Sequence, residues 1–511
     1  MRNLAALLRK ATAALLALHA AALCMVLAGC NVGPKYLPPT MTAPPAYKES
    51  PAQFNENDGW AVAQPQDASL RGKWWEIYNE PELNALENQL NIDNQNIRQS
   101  FENFMEARAL VREARSQYFP TVSVGGSYTR SQASSNVGSS TSGGTSGGKQ
   151  TQVFSFPADV SWEPDLWGKV RNTVRASQYT AQLTAADLEN ERLTEQASLA
   201  QYYFEIRGQD ALQQILNDTV EADKKALEVV RAAYDNGITD QISVIEAQTT
   251  LESAQSAAIN IGIARAQYEH AIAMLIGKPA SALSIPVEPR TSAPPPIPVG
   301  LPSQLLERRP DVASAERKMA AANAQIRVAY TAYYPALTLS ATGGMESSAI
   351  KNILDWPSRF WSVGPSVSET VYDGGLRRAT VNQYIATYNA DLAAYRQSVL
   401  IAFQQVEDAL ASVRILSQQI QHQQEAVESS RIFLKLELGR YETGIDPYID
   451  VITAQTTLLA NRQSLTNLQV QEMTASVQLI ESLGGGWERS QLPTPAQITQ
   501  KPSKAETVIQ H

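Results

Sequence analysis

The sequence predicts a mainly α-helical chain with a smaller β portion, built as a tandem duplication of long antiparallel coiled-coil helices and short amphipathic strands. Three observations predict it. The segment from Ala233-Tyr234-Asp235-Asn236-Gly237-Ile238 to Ala247-Gln248-Thr249-Thr250-Leu251 recurs, at an offset of 207 residues, from Arg440-Tyr441-Glu442-Thr443-Gly444-Ile445 to Ala454-Gln455-Thr456-Thr457-Leu458. Two stretches, about 168–235 and 375–442, contain no proline and read as very long helices. Four runs near Tyr118-Phe119-Pro120 and Tyr333-Tyr334-Pro335 alternate apolar with polar residues, the period of a strand with one wet face.

Taken in chain order, Arg2, Arg9 and Lys10 precede the apolar run Ala11 to Leu27, the pattern of a secretory signal peptide over residues 1–29. The run ends in Leu27-Ala28-Gly29-Cys30, which resembles a bacterial lipobox, so cleavage leaves Cys30 as a lipid-bearing first residue; an ordinary transmembrane anchor is the alternative. Cys24 departs with the leader, so no disulfide is possible within the exported chain and stability must come from packing or assembly. Cleavage also removes three basic residues and no acidic one, taking the formal charge from −9 to −12, which disfavours nucleic acid or an anionic membrane surface as partner. Asn31, in place of the aspartate that retains bacterial lipoproteins in the inner membrane, points outward. No other apolar run reaches the roughly 18 residues of a spanning helix, so any membrane crossing falls to strands.

Residues 30–81 read as an extended segment, 82–277 as the first repeat, 278–306 as a proline-rich connector, 307–484 as the second repeat and 485–511 as a disordered tail. Each repeat opens with a helix, about 82–117 or 308–332, that stops where proline cannot continue it. A strand pair follows. Val122, Val124 and Tyr128 alternate with Thr121, Ser123, Ser127 and Thr129, and Phe154 to Trp162 repeat the pattern; Leu337 to Met345 and Trp361 to Val367 do the same in the second copy. Such runs fit an outer-membrane barrel and a half-buried soluble sheet equally. The Ser/Gly-rich loop Ser134 to Lys149 reads as a mobile tip; Gly143 and Gly148-Lys149 have P-loop spacing, but Gln150 stands where a magnesium-binding hydroxyl belongs.

The long helices come next. At ~1.5 Å per residue, each reaches about 100 Å. Along the second, Ile385, Tyr388, Leu392, Tyr395, Val399, Phe403, Val406, Leu410, Val413 and Ile420 form a coiled-coil seam with a stutter at Val399 to Phe403. Turns at Asp235-Asn236-Gly237 and Thr443-Gly444-Ile445-Asp446-Pro447 send the chain back into helices of about 37 residues ending near Gly277 and Gly484. In the first copy the two shorter helices together roughly match the long one, so end to end they can run alongside it.

Four strands cannot close a barrel, and an open edge cannot sit in lipid, so several chains must share one; three copies are the simplest closed solution. At this point the chain resembles the outer-membrane factors of tripartite RND-type efflux pumps, the TolC/OprM-type family, in its lipoprotein branch. The resemblance rests on Cys30-Asn31-Val32-Gly33-Pro34-Lys35-Tyr36, Ser161-Trp162-Glu163-Pro164-Asp165-Leu166-Trp167-Gly168, Leu305-Leu306-Glu307-Arg308-Arg309-Pro310-Asp311-Val312 and the two Tyr-x-x-Gly turns, each followed by Ala-Gln-Thr-Thr-Leu. It implies a homotrimer with a twelve-stranded barrel in the outer membrane and a periplasmic tunnel of twelve helical columns. Its closed tip opens when an adaptor protein and an inner-membrane pump dock. A non-conducting coiled-coil lipoprotein, a stalk, adhesin or periplasmic scaffold, is the alternative. Enzyme chemistry has no foothold: His270, His422 and His511 lack ligand spacing, no nucleophile elbow is present, and no cofactor or metal is expected.

Ile449, Asp450 and Thr453 lie in the first turns of a returning helix, with Ile449 and Thr453 on one face and Asp450 beside them. The resemblance places the constricting rings here, an apolar collar from Ile449 and three carboxylates from Asp450; Thr453 departs from the second aspartate that relatives often carry. It gives Tyr441 a closed-state hydrogen bond whose usual acidic partner, near Ser243, is missing. Gly237, Ile238, Thr239, Gly444, Ile445 and Asp446 match the turns that meet the adaptor, although the same glycines also serve simply to reverse the chain.

Overall fold

The computed structural model describes residues 31–39, 44, 47–49, 72–132, 134, 150–297 and 307–500. A 3-10 turn at Trp74–Tyr78 leads into α1 (Pro81–Asp93) and α2 (Gln95–Ser116). Strands β1 (Thr121–Val124), β2 (Ser127–Gln132) and β3 (Gln150–Trp162) follow, then α3 (Lys169–Asp235) and α4 (Gln241–Leu275). The second copy holds α5 (Pro310–Thr331), β4 (Ala336–Ser347), β5 (Arg359–Ser368), α6 (Leu376–Glu442) and α7 (Tyr448–Ser482), and α8 (Pro495–Thr499) ends the described chain. The expected α and β portions are both present.

The first expected strand is split. Its halves β1 and β2 both pair β3 in one unbroken register, Val124 with Ala158 and Ser127 with Ser155. The interruption falls opposite Pro157, which has no N–H to give the ladder; Gly125 still donates its own to the Pro157 carbonyl at 3.0 Å. The result is an antiparallel sheet four strands wide, β1/β2–β3–β4–β5, with the two copies joined through β3 and β4.

The first helix also departs from expectation. It breaks at Asn94, whose side chain caps α2 by accepting from the Ile97 N–H at 2.9 Å. The break reveals the true repeat unit, because α2 and α5 are both 22 residues long, α3 and α6 both 67, and α4 and α7 both 35. The α1 helix has no counterpart among the described residues. The column beside α3 is therefore α4 followed by α2, shorter than the expectation that counted α1. α1 instead packs with Trp74, Trp75 and Tyr78 against α3, in the largest apolar cluster.

The junctions between stacked helices repeat the duplication with different chemistry. Asn94 donates to the Leu275 carbonyl at 2.8 Å, and Arg309 donates to the Ser482 carbonyl at 3.0 Å, so each relieves an orphan carbonyl at the end of a returning helix. Between the copies, α3 packs on both α5 and α7. The expected seam on α6 is buried from Tyr395 to Ile420 except for Phe403, which is half-buried, while Ile385 near the sheet stays exposed. The connector is pinned where it passes the helices: Arg265 donates to the Ile285 carbonyl, Arg207 to the Pro286 carbonyl, and Glu288 N–H to Asp210, all within 2.8–2.9 Å.

The tail, expected to be disordered from about residue 485, is structured through Gln500. Trp487 is buried with Ala186 and Ala313, Ile498 is fully buried among Ala107, Val111 and Ala181, and Arg108 holds the carbonyls that end α8. A Thr494-x-x-Gln497 capping box and Pro495 at its first position start that turn, which the proline count concealed. The leader, Cys30 and the loop at 135–149 lie outside the described residues.

Candidate functional site

Two regions carry the candidate function, the sheet and the far ends of the long helices. Across the sheet, residues paired between strands share a face. Val122 and Val160, Ala341 and Val363, Leu337 and Val367, and Gly343 and Trp361 define an apolar side, while Ser123 and Asp159, Ser340 and Gly364, and Thr342 and Ser362 define a polar one. On the polar side Thr342 donates to Asp159 at 2.7 Å. On the apolar side Val124, Trp361, Val363 and Val367 are exposed, although nothing but lipid or protein satisfies such a surface. Among the described residues no helix is long and apolar enough to cross a membrane.

Where strand meets helix, the tryptophans of the Trp162-to-Trp167 segment lock the joint. Trp162 donates to the Tyr118 carbonyl at 3.1 Å, and Trp167 donates to Pro335 at 2.8 Å while stacking on Tyr334. Asp165 accepts from the Val170 and Arg171 N–H groups, tying down the start of α3. Asn31 reaches the same level, accepting from Asn172 at 3.0 Å. From there the N-terminal segment follows the second copy, with Tyr36 donating to Glu316 and the Lys48 and Glu49 N–H groups donating to Glu407.

At the other end of α3 and α6, both turns close in the same way. Gly237 (φ +70°) donates to Tyr234 and Ile238 to Ala233; Gly444 (φ +73°) donates to Tyr441 and Ile445 to Arg440. This is the Schellman closure, and its left-handed residue favours glycine. Ile238 and Ile445 project into the open.

The turns then diverge. In the first, Asp240 caps α4 by accepting from Ser243 N–H at 3.0 Å and Ser243 Oγ at 2.9 Å, and Thr239 donates to Ser243 Oγ at 3.1 Å. Those bonds hold the Asp240 carboxyl below its ordinary range. In the second, Pro447 occupies the cap position, and Arg440 grips both oxygens of Asp446, one at 2.9 Å. Arg440 lowers the Asp446 pKa, whereas desolvation and then Asp446 raise that of Glu437.

Of the expected gate residues, Ile449 and Thr453 share an exposed face, Thr453 donating to the Ile449 carbonyl at 2.9 Å. Asp450 turns away from them and joins Glu437 and Asp446, their nearest oxygens all within 4.8 Å of one another. Tyr441 does not reach Ser243; its ring packs on Tyr448 at 5.2 Å, above a buried cluster of Leu227, Val230, Ala247 and Val451. Sequence reasoning missed Glu437, Arg440 and Asp223. Arg440 and Asp446 are six apart and meet only because the glycine turn folds one back on the other. Asp223 is buried beside Tyr448 with one oxygen unpaired, and burial pushes it up to about 6.

Comparison with known proteins agrees with this geometry. The family described as outer membrane efflux protein matches residues 86–278 and 301–485. The probable efflux pump outer membrane protein TtgC of Pseudomonas putida is 28% identical over 465 residues, covering 90% of this chain and 94% of that protein. The solved outer-membrane channel OprN superposes with a TM-score of 0.81 at 26% identity, covering 90% of this chain and all of that one. The CmeC channel of Campylobacter jejuni, at 21% identity, shares the fold with a TM-score of 0.81 over 94% of this chain and 99% of that one. With both repeats matched, and with an amphipathic sheet set on paired helical columns, the chain belongs to the outer membrane efflux protein family and serves as an outer-membrane exit duct for efflux.

Proposed function

We propose that three copies of this chain pool their sheets into one twelve-stranded barrel and their helices into one periplasmic tunnel. The tunnel passively conducts small molecules delivered by a periplasmic adaptor and an inner-membrane RND-type pump. The observation that carries this reading is the sheet: four strands wide, apolar on one exposed face, and open along β1/β2 and β5. Open edges leave N–H and C=O groups that lipid cannot satisfy, so neighbouring chains must supply the missing pairs.

The lipid anchor of this reading is Cys30. Asn31, the next residue, is held at the strand–helix junction, the level at which an acyl chain enters the membrane's inner leaflet. At the far end, Ile449 forms the apolar collar and Asp450, whose carboxylate leans toward Glu437 and Asp446 and not onto the Ile449–Thr453 face, supplies the acidic ring, while Gly237, Ile238, Thr239, Gly444, Ile445 and Asp446 face the adaptor. The adaptor opens the tip by binding its splayed form more tightly than its closed form. Purified protein should run as a heat-resistant trimer and form channels in planar bilayers; a monodisperse monomer without conductance overturns the reading. Asp450→Ala should weaken cation block of the single-channel current, and an unchanged current removes Asp450 from the constriction.

A further inference from the structure

The two copies of the repeat treat one matched position in opposite ways. On α6, Ser430 accepts from the Asn461 side chain of α7 at 2.6 Å and gives its own proton to the Ala426 carbonyl. At the 207-residue offset Ser430 corresponds to Asp223 on α3, and Asn461 to Ala254 on α4. The first copy therefore has the stronger acceptor and lacks the donor. Asp223 is 3% exposed, and its Oδ2 has no hydrogen-bond partner. A buried polar group left without a partner costs free energy that the second copy avoids.

Asp223 and Ala254 line a cleft of about 570 Å³ between α3, α4 and α7. Its walls are apolar, with Leu216, Ile245, Ile449, Ile452 and Leu459, and a second acceptor, Gln455 Oε1, is buried there without a partner. The threonine hydroxyls of the lining are already spent as donors. Thr219, Thr249, Thr250 and Thr456 each donate to the carbonyl four residues back. Glu246 is the other acid, and among the described residues no lysine, arginine or histidine lines the cleft.

Acceptors without donors, set in an apolar hollow, select a ligand that brings both the donor and the apolar body. We propose that this cleft binds small lipophilic ammonium ions, the charged nitrogen seated at Asp223 and Gln455 and the hydrocarbon against the leucines and isoleucines. The site lies within one chain and goes beyond the duct reading, which does not require it. A cation supplies Asp223 with the kind of partner that Asn461 supplies to Ser430. An anion is repelled by Asp223 and Glu246, and a neutral hydrocarbon leaves both buried acceptors bare. Burial raises Asp223 to about 6, with Glu246 on α4 and Tyr448 on α7 the titratable groups about it, so the ammonium ion binds better as the pH rises through that value.

Three cage compounds of one shape test the cleft on the purified full-length protein in detergent: 1-adamantylamine, 1-adamantanol and 1-adamantanecarboxylate. In titration calorimetry at pH 7.5 the amine should bind at least tenfold more tightly than the alcohol, and the carboxylate should not bind. At pH 5, where about nine-tenths of Asp223 carries a proton, the amine should weaken about tenfold and the alcohol should not change. Asp223→Asn should erase the preference for the amine. Ala254→Asn, which copies Asn461 and keeps the acid, should weaken the amine at least tenfold in protein that still melts cooperatively by circular dichroism. Equal binding of amine and alcohol, or no binding of the amine, by the unaltered protein overturns the proposal whatever the variants do. Unchanged amine affinity in folded Ala254→Asn overturns Asp223 as the seat. Bilayer conductance reads the duct separately, so amine binding by a protein that forms no channel supports the cleft while overturning the duct.

Discussion

The chain makes the same glycine turn in two places in each copy, at mid-height and at the tip, and the surroundings are opposite. At mid-height, Gly277 and Gly484 lie against the backbone, where an added Cβ would overlap the carbonyl oxygens of Asp93 and Arg308. At the tip, Gly237 and Gly444 have a similar positive φ and nothing within 4 Å of the same added atom. The local motif is one, but the mid-height glycine is needed for packing inside the chain. The tip glycine leaves a free surface, which packing inside the chain does not explain.

Alanine at Gly277 or Gly484 should have the largest structural effect. It combines a left-handed backbone cost of about 1–2 kcal/mol with overpacking of about 1–3 kcal/mol, and thermal unfolding followed by circular dichroism should show a sharply lowered midpoint. A midpoint like that of the tip variants would erase the contrast. Tryptophan at Gly237 or Gly444 should instead leave the heat-resistant trimer intact and abolish drug export in a susceptibility assay; normal export would leave the free tip surface without its purpose.

Titration sharpens the comparison further. Asp223, near the tip, is raised to about 6, so the folded chain holds its proton more firmly than the unfolded one. Its contribution is complete below about pH 4 and is lost as the pH rises through about 6. Asp223→Asn should flatten that fall in unfolding measurements made between pH 4 and pH 7. Glu87, at mid-height, is fully buried with neither carboxyl oxygen paired and is also raised by burial, so Glu87→Leu should gain more stability at alkaline than at acid pH. The smallest effect belongs to Arg440→Ala. The Arg440–Asp446 pair is solvent-exposed, so stability should hardly move, and only the salt dependence of adaptor binding should change.

Much of this was legible in the sequence because duplication gives every signal twice. The 207-residue offset located both glycine turns, and the absence of proline set the long helices to within a residue or two. What stayed hidden depended on contacts distant in sequence. Asn94 reads as one more polar residue in a helix until the Leu275 carbonyl is placed beside it. Asp450 shares a helix face with nothing acidic in sequence, and only the folded turn delivers Glu437 and Asp446 to it. Ile498 looked like part of a proline-broken tail because its seat of Ala107, Val111 and Ala181 is built by α2 and α3, more than three hundred residues earlier.

Among the described residues the collar of α1 and the Trp74–Tyr78 turn occurs in one copy of the repeat, whereas the tip turn occurs in both. In a three-fold assembly the tip thus offers six similar footholds and the collar three unlike intervals. That near six-fold repetition is broken by the side chains of the tip, Asp240 in one turn and Arg440 with Asp446 in the other, and by the girdle above.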